Sequence, residues 1–115
     1  MRNHVRERIA SLRSLISKGL FQDNLSPIIQ HCGALVQDSP HTLVFFTLKH
    51  IFIELDQALD TEKAVEISMF NALTQGIAEQ TSLILEKLER GGSIEPSVLE
   101  RLVSTHISNL ALFRS

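Results

Sequence analysis

The most apolar stretch of the chain lies near its middle, from His41 to Leu59. On a helix its apolar side chains point in nearly every direction, and its polar side chains gather in one narrow strip of Lys49, His50, Glu54 and Gln57. A helix that is apolar on most sides has to be surrounded by other helices. The pattern therefore predicts a central helix over about residues 40–59.

Before this stretch, apolar residues recur at the three- and four-residue intervals that are typical of amphipathic helices. A first helix is predicted over Asn3–Lys18, and Gly19 is expected to end it. A short second helix is predicted over Pro27–Gln37, because proline is favoured at the first helical position and Ser26 offers a cap in front of it.

After the central stretch, the same intervals predict a long helix over 62–90, with two helices divided near Gly76 as the alternative. Gly91–Gly92 breaks the pattern, and a last helix is predicted over about 96–113. We therefore expect an all-α fold in which residues 1–115 form one domain. Its architecture would be a mostly antiparallel bundle of four to five helices around the central helix.

Composition narrows the classes of protein to consider. The 115 residues are 43% hydrophobic and 21% charged, which is typical of a globular protein. The net charge of −2 argues against a dedicated nucleic-acid binder, and no apolar run is long enough to predict insertion into a membrane. One cysteine, Cys32, and no signal peptide favour a cytoplasmic protein.

The sequence predicts neither a metal nor a cofactor. No two of the five histidines stand three or four positions apart, which is the spacing that places two ligands on one helix face. No glycine-rich loop of the nucleotide-binding kind is present either.

Positive charge is concentrated in the first predicted helix, which carries Arg2, Arg6, Arg8 and Arg13. These arginines are candidates for docking onto an acidic surface of a partner. The alternative is an ordinary solvated helix face balanced by acidic residues elsewhere in the bundle.

His50 is a candidate for phosphotransfer, since it lies halfway along the central helix in the polar strip. A histidine in such a place resembles the site of histidine-phosphotransfer domains, which implies presentation of His50 to a partner domain. Ile51, Phe52 and Ile53 follow it, where those domains usually have charged or small residues. A half-buried structural histidine is the alternative.

Arg101 and His106 have the R-x4-H spacing and resemble the motif of HEPN-type helical ribonucleases. That resemblance implies RNA cleavage by His106 in the groove of a dimer. Leu102 departs from the polar residue that usually follows the arginine, and on one helix the two side chains would lie about 140° apart. The alternative is that His106 is a satisfied core histidine.

The charged side chains converge on no catalytic motif, so an enzyme is not the first expectation. The apolar residues, in contrast, exceed what one small bundle can hide. We expect a non-enzymatic interaction module, an adaptor, regulator or chaperone that binds a partner protein. We also expect a homodimer that buries part of the third, fourth or fifth helix.

Overall fold

The computed structural model describes residues 2–61 and 67–113. Within these ranges the chain forms five helices and no strand: α1 (Asn3–Ser17), α2 (Gln22–Asp38), α3 (Thr42–Thr61), α4 (Ile67–Glu89) and α5 (Pro96–Phe113). The prediction of an all-α helical bundle is confirmed.

The main helix contacts close a ring in which α2 packs on α1 and α3, α4 packs on α1 and α5, and α5 packs on α3. Inside the ring lies one apolar cluster to which all five helices contribute. Three fully buried aromatic side chains are its largest members: Phe45, Phe52 and Phe70. Because α5 completes the ring, it has α3 on one flank and α4 on the other.

The second helix begins five residues before the predicted start, so the prediction that Pro27 opens it is wrong. The reason is Asn24, whose buried side chain ties the connection together. Its Oδ1 accepts a hydrogen bond from the backbone N–H of Phe21 at 3.0 Å. Its Nδ2 donates to the carbonyls of Leu15 and Gly19 at 3.1 and 2.6 Å. Pro27 in the second turn removes only the hydrogen bond to the carbonyl of residue 23, an exposed position that water can satisfy.

The central helix lies within two residues of its prediction at both ends, and the fourth helix ends one residue before its predicted end. The backbone N–H of His41 donates to the hydroxyl of Ser39 at 3.0 Å, just before α3 begins. From its first described residue, α4 is continuous through Gly76, so the alternative of two helices is not observed. The predicted start of this helix at 62 lies outside the described residues.

The turn between α4 and α5 is a Schellman motif built on two glycines. Gly91 has φ +84°, a left-handed conformation that favours glycine. The N–H of Gly91 donates to Leu88 at 3.1 Å, and the N–H of Gly92 donates to Lys87 at 3.0 Å. A Cβ on Gly92 would stand 2.8 Å from Cγ of Lys87, so the lysine stem lies directly over this glycine.

Candidate interaction surfaces

A groove of about 560 Å³ runs between α3 and α5. Leu99 and Val103 of α5 form its apolar floor, while Leu43 of α3 and Ile107 of α5 stand in solvent beside it. Leu43 is 64% exposed and Ile107 is 59% exposed, so two large apolar residues from different helices line one groove and remain open to solvent. We call this site the α3–α5 groove.

Few charges accompany this apolar surface. Among the described residues that line the α3–α5 groove, Glu100 is the only charged one. Phe46 adds to the apolar area, since it lies one turn after Leu43 on the same side of α3 and is half exposed. The apolar sides of the central helix are thus not all covered by its own bundle.

A second groove of about 280 Å³ lies on the other flank of α5, against α4. Buried Ile84 lies at its base, and the exposed Leu83 and Val98 stand on its two sides. Lys87 and Arg101 also line it, and no Asp or Glu does so among the described residues. We call this site the α4–α5 groove.

The ribonuclease candidates Arg101 and His106 do not share a site. Arg101 is exposed in the α4–α5 groove, whereas only 2% of His106 is exposed. His106 turns toward α3, where its Nε2 lies 3.4 Å from Oε1 of Glu54. A histidine so buried cannot contact an RNA backbone while the bundle is closed.

The phosphotransfer candidate His50 lies on the surface of α3. Its ring meets the ring of Phe46 edge to face, with 4.5 Å between their centroids. The neighbouring Lys49 turns the other way, toward α2, and its Nζ lies 3.7 Å from the place that a Cβ on Gly33 would take. Gly33 of α2 therefore leaves room for a lysine side chain of α3.

The four candidate docking arginines at the start of the chain lie in different surroundings. Arg2 and Arg6 are exposed. Arg13 forms an ion pair with Glu89 of α4 at 2.8 Å, and Arg8 donates to Nδ1 of His31 on α2 at 3.2 Å. Two of the four candidate docking residues therefore tie α1 to its neighbours.

Two titratable side chains of α2 have displaced pKa values. Burial raises the pKa of the Cys32 thiol to about 12, and the charge of Lys49 opposes this with a smaller effect. Burial and the nearby Arg8 lower the pKa of His31. Cys32 is thus a core thiol without the thiolate character that a nucleophile needs. Over the described part of the chain, no group of three His, Cys, Asp or Glu side chains is placed to hold a metal ion.

No family model, curated protein or solved structure matches this chain. None of the helices in the described ranges combines the length and the apolarity that crossing a bilayer requires.

The sequence predicts a surplus of apolar residues but not which of them lie on the surface of the bundle. Leu83 and Val98 are apolar residues of the fourth and fifth predicted helices, and an apolar residue beside the main stripe of a helix was the available signal. In the sequence, Arg101 stands out only for its five-residue spacing from His106. Its position beside Lys87 depends on how α4 and α5 pack, which one sequence does not specify.

Proposed function

We propose that this protein is a non-enzymatic interaction module that works as a homodimer, with a second copy covering the α3–α5 groove. The observation that carries the proposal is the pair of exposed apolar side chains, Leu43 and Ile107, on opposite sides of an apolar floor. Covering them removes apolar surface from water, which is the main favourable term in protein association.

The low charge of this face supports a second copy as its occupant. Interfaces between identical subunits are more apolar than interfaces between proteins that associate transiently, and charged residues are depleted in interface cores. A two-fold axis brings the same patch of both subunits together, so like charges on that patch would repel each other. A face with little charge avoids this repulsion. Phe46, beside Leu43, extends the surface available to that contact.

The module is proposed to act as an adaptor, regulator or chaperone in the cytoplasm, where it binds a partner protein through surfaces left open by the dimer. The cytoplasmic part of the proposal rests on the cysteine count, since one buried cysteine fits a reducing compartment.

Light scattering after gel filtration tests the homodimer. When its concentration is raised to about 100 µM, the wild-type protein should show about twice the 12.9 kDa mass of one chain. Leu43→Ser with Ile107→Ser should give a monomer with unchanged helix content, because both side chains are exposed and their replacement costs the fold little.

Leu83→Ser is the matched control, since Leu83 is 66% exposed but lies in the other groove. It should leave the dimer intact. A wild-type chain that stays monomeric over the whole concentration range contradicts the proposal, and so does a dimer that survives the double substitution.

Phosphotransfer is a second candidate because His50 is exposed and therefore accessible to a partner domain. Incubation with a phosphorylated receiver domain should then transfer label to the wild type and not to His50→Gln. Equal labelling of the two proteins, or no labelling of either, would argue against it.

A further inference from the structure

We propose that the α4–α5 groove binds an acidic, apolar segment of a partner protein, with its apolar side chains between Leu83 and Val98 and its carboxylates at Lys87 and Arg101. This rests on the proposed function in that it names the partner chemistry of the module. It uses the flank of α5 that the dimer does not use.

The size of the groove suits side chains of a peptide. At about 280 Å³ it is smaller than the ~300–1,000 Å³ of typical small-molecule sites. It is open along the surface, and Leu83 and Val98 lie on different helices at its two sides. An amphipathic segment that places one or two apolar side chains over Ile84 would cover both of them.

Charge selects an acidic segment over a basic one. Lys87 and Arg101 are both exposed at the groove, and neither takes part in an ion pair with another described residue. Glu86, the nearest acidic residue in sequence to Lys87, is bound by Arg90 at 2.5 Å. Glu100, which precedes Arg101, lines the α3–α5 groove. The positive charge at the α4–α5 groove is therefore left for a ligand.

The stem of Lys87 also packs on the chain before any ligand arrives. Its stem covers Gly92, and its backbone carbonyl accepts the hydrogen bond from Gly92 that closes the Schellman turn. A side chain that is already ordered loses less conformational entropy on binding. Lys87 is thus better prepared to pair with a carboxylate than an ordinary surface lysine.

Fluorescence anisotropy with a labelled helical peptide tests the inference. The probe has about 14 residues, or four helical turns, with leucines along one face and glutamates between them. Wild-type protein should bind it, and Lys87→Glu with Arg101→Glu should weaken binding by about tenfold or more. Leu83→Ser should weaken it by about fivefold, the loss of one partly buried apolar contact. Arg6→Glu with Lys18→Glu, which reverses one exposed cation on α1 and one directly after it, is the matched control and should change binding little.

Two further probes separate the contributions of charge and apolar contact. A probe with lysine in place of glutamate, and a probe with serine in place of leucine, should both bind at least about tenfold more weakly. Equal binding of the serine probe would overturn the inference, because the groove would then be only a site for negative charge. Binding that is unaffected by the double charge reversal in the groove would overturn it as well.

The two proposals fail separately. The Leu43→Ser, Ile107→Ser variant should bind the leucine–glutamate probe as the wild type does, whatever its oligomeric state. Loss of probe binding in that variant alone would place the segment in the α3–α5 groove and contradict the assignment made here.

Discussion

The two grooves beside α5 share an apolar floor but differ in the charge at their edges. On the α3 side, Glu100 is the single charged residue among the described residues that line the groove. On the α4 side, Lys87 and Arg101 stand among exposed apolar side chains. One helix therefore borders one apolar surface with little charge and one apolar surface with two exposed cations.

The difference arises from helix geometry. Glu100 and Arg101 are consecutive, and consecutive residues of an α-helix point about 100° apart, so they fall on different flanks of α5. The negative and the positive charge are therefore neighbours in the sequence but lie in different grooves. Net charge, −2 for the whole chain, hides this separation.

The largest expected contrast is in stability, between His106→Ala and Arg101→Ala. His106 is fully enclosed against α3 and its removal leaves a cavity, so we expect a loss of about 2–4 kcal/mol in the free energy of unfolding. Arg101 is exposed, and its replacement should change stability by less than about 0.5 kcal/mol. Urea unfolding at one fixed protein concentration measures both.

The same two variants examine the ribonuclease interpretation. Equal stability of His106→Ala and wild type would mean that the α3 flank of α5 is not packed as described. If the wild type cleaves RNA and each substitution abolishes cleavage without unfolding the protein, the two residues would be a catalytic pair after all.

The fold was largely predictable because each helix carries an apolar stripe and most helix ends carry a local signal. Gly19, for example, has φ +95° at the end of α1, as a C-terminal glycine should. The start of α2 was not predictable in the same way. Asn24 begins that helix through hydrogen bonds to Leu15 and Gly19, and these depend on where the end of α1 lies in space.

The candidate surfaces were predictable only in part. The excess of apolar residues on the central helix follows from the sequence, and Leu43 and Phe46 are where that excess reaches the surface. Which stripe residues would remain uncovered depends on the order of helices in the ring. Arg8 and Arg13 illustrate the opposite case, since two candidates for docking onto a partner contact neighbouring helices of the bundle instead.

The next contrast compares two glycines of the same α4 region. A Cβ on Gly92 would stand 3.1 Å from the carbonyl oxygen of Lys87 as well as against its stem, so Gly92→Ala should cost about 1–2 kcal/mol of stability. A Cβ on Gly76 meets nothing within 4 Å in the interior of α4, so Gly76→Ala should stabilise the protein by about 0.5–1 kcal/mol. Thermal unfolding followed by circular dichroism measures both changes.

Gly92→Ala also separates the two grooves. Moving the stem of Lys87 should weaken binding of the leucine–glutamate probe, whereas the dimer contact of the α3–α5 groove should persist. An alanine variant that binds the probe like the wild type would show that the position of Lys87 does not matter for binding.

The smallest expected effect is the response of the two grooves to salt. Raising ionic strength from about 0.1 to about 1 M shortens the screening length from about 10 to about 3 Å. Two exposed ion pairs at Lys87 and Arg101, worth about 0.2–1 kcal/mol each, would then be largely lost, so probe binding should fall by about 2–30-fold. The dimer should persist at both salt concentrations, because burial of Leu43 and Ile107 does not depend on charge. Anisotropy titrations and light scattering in the same buffers measure the two responses side by side. A dimer that dissociates in salt while the probe stays bound would reverse the roles assigned to the two flanks of α5.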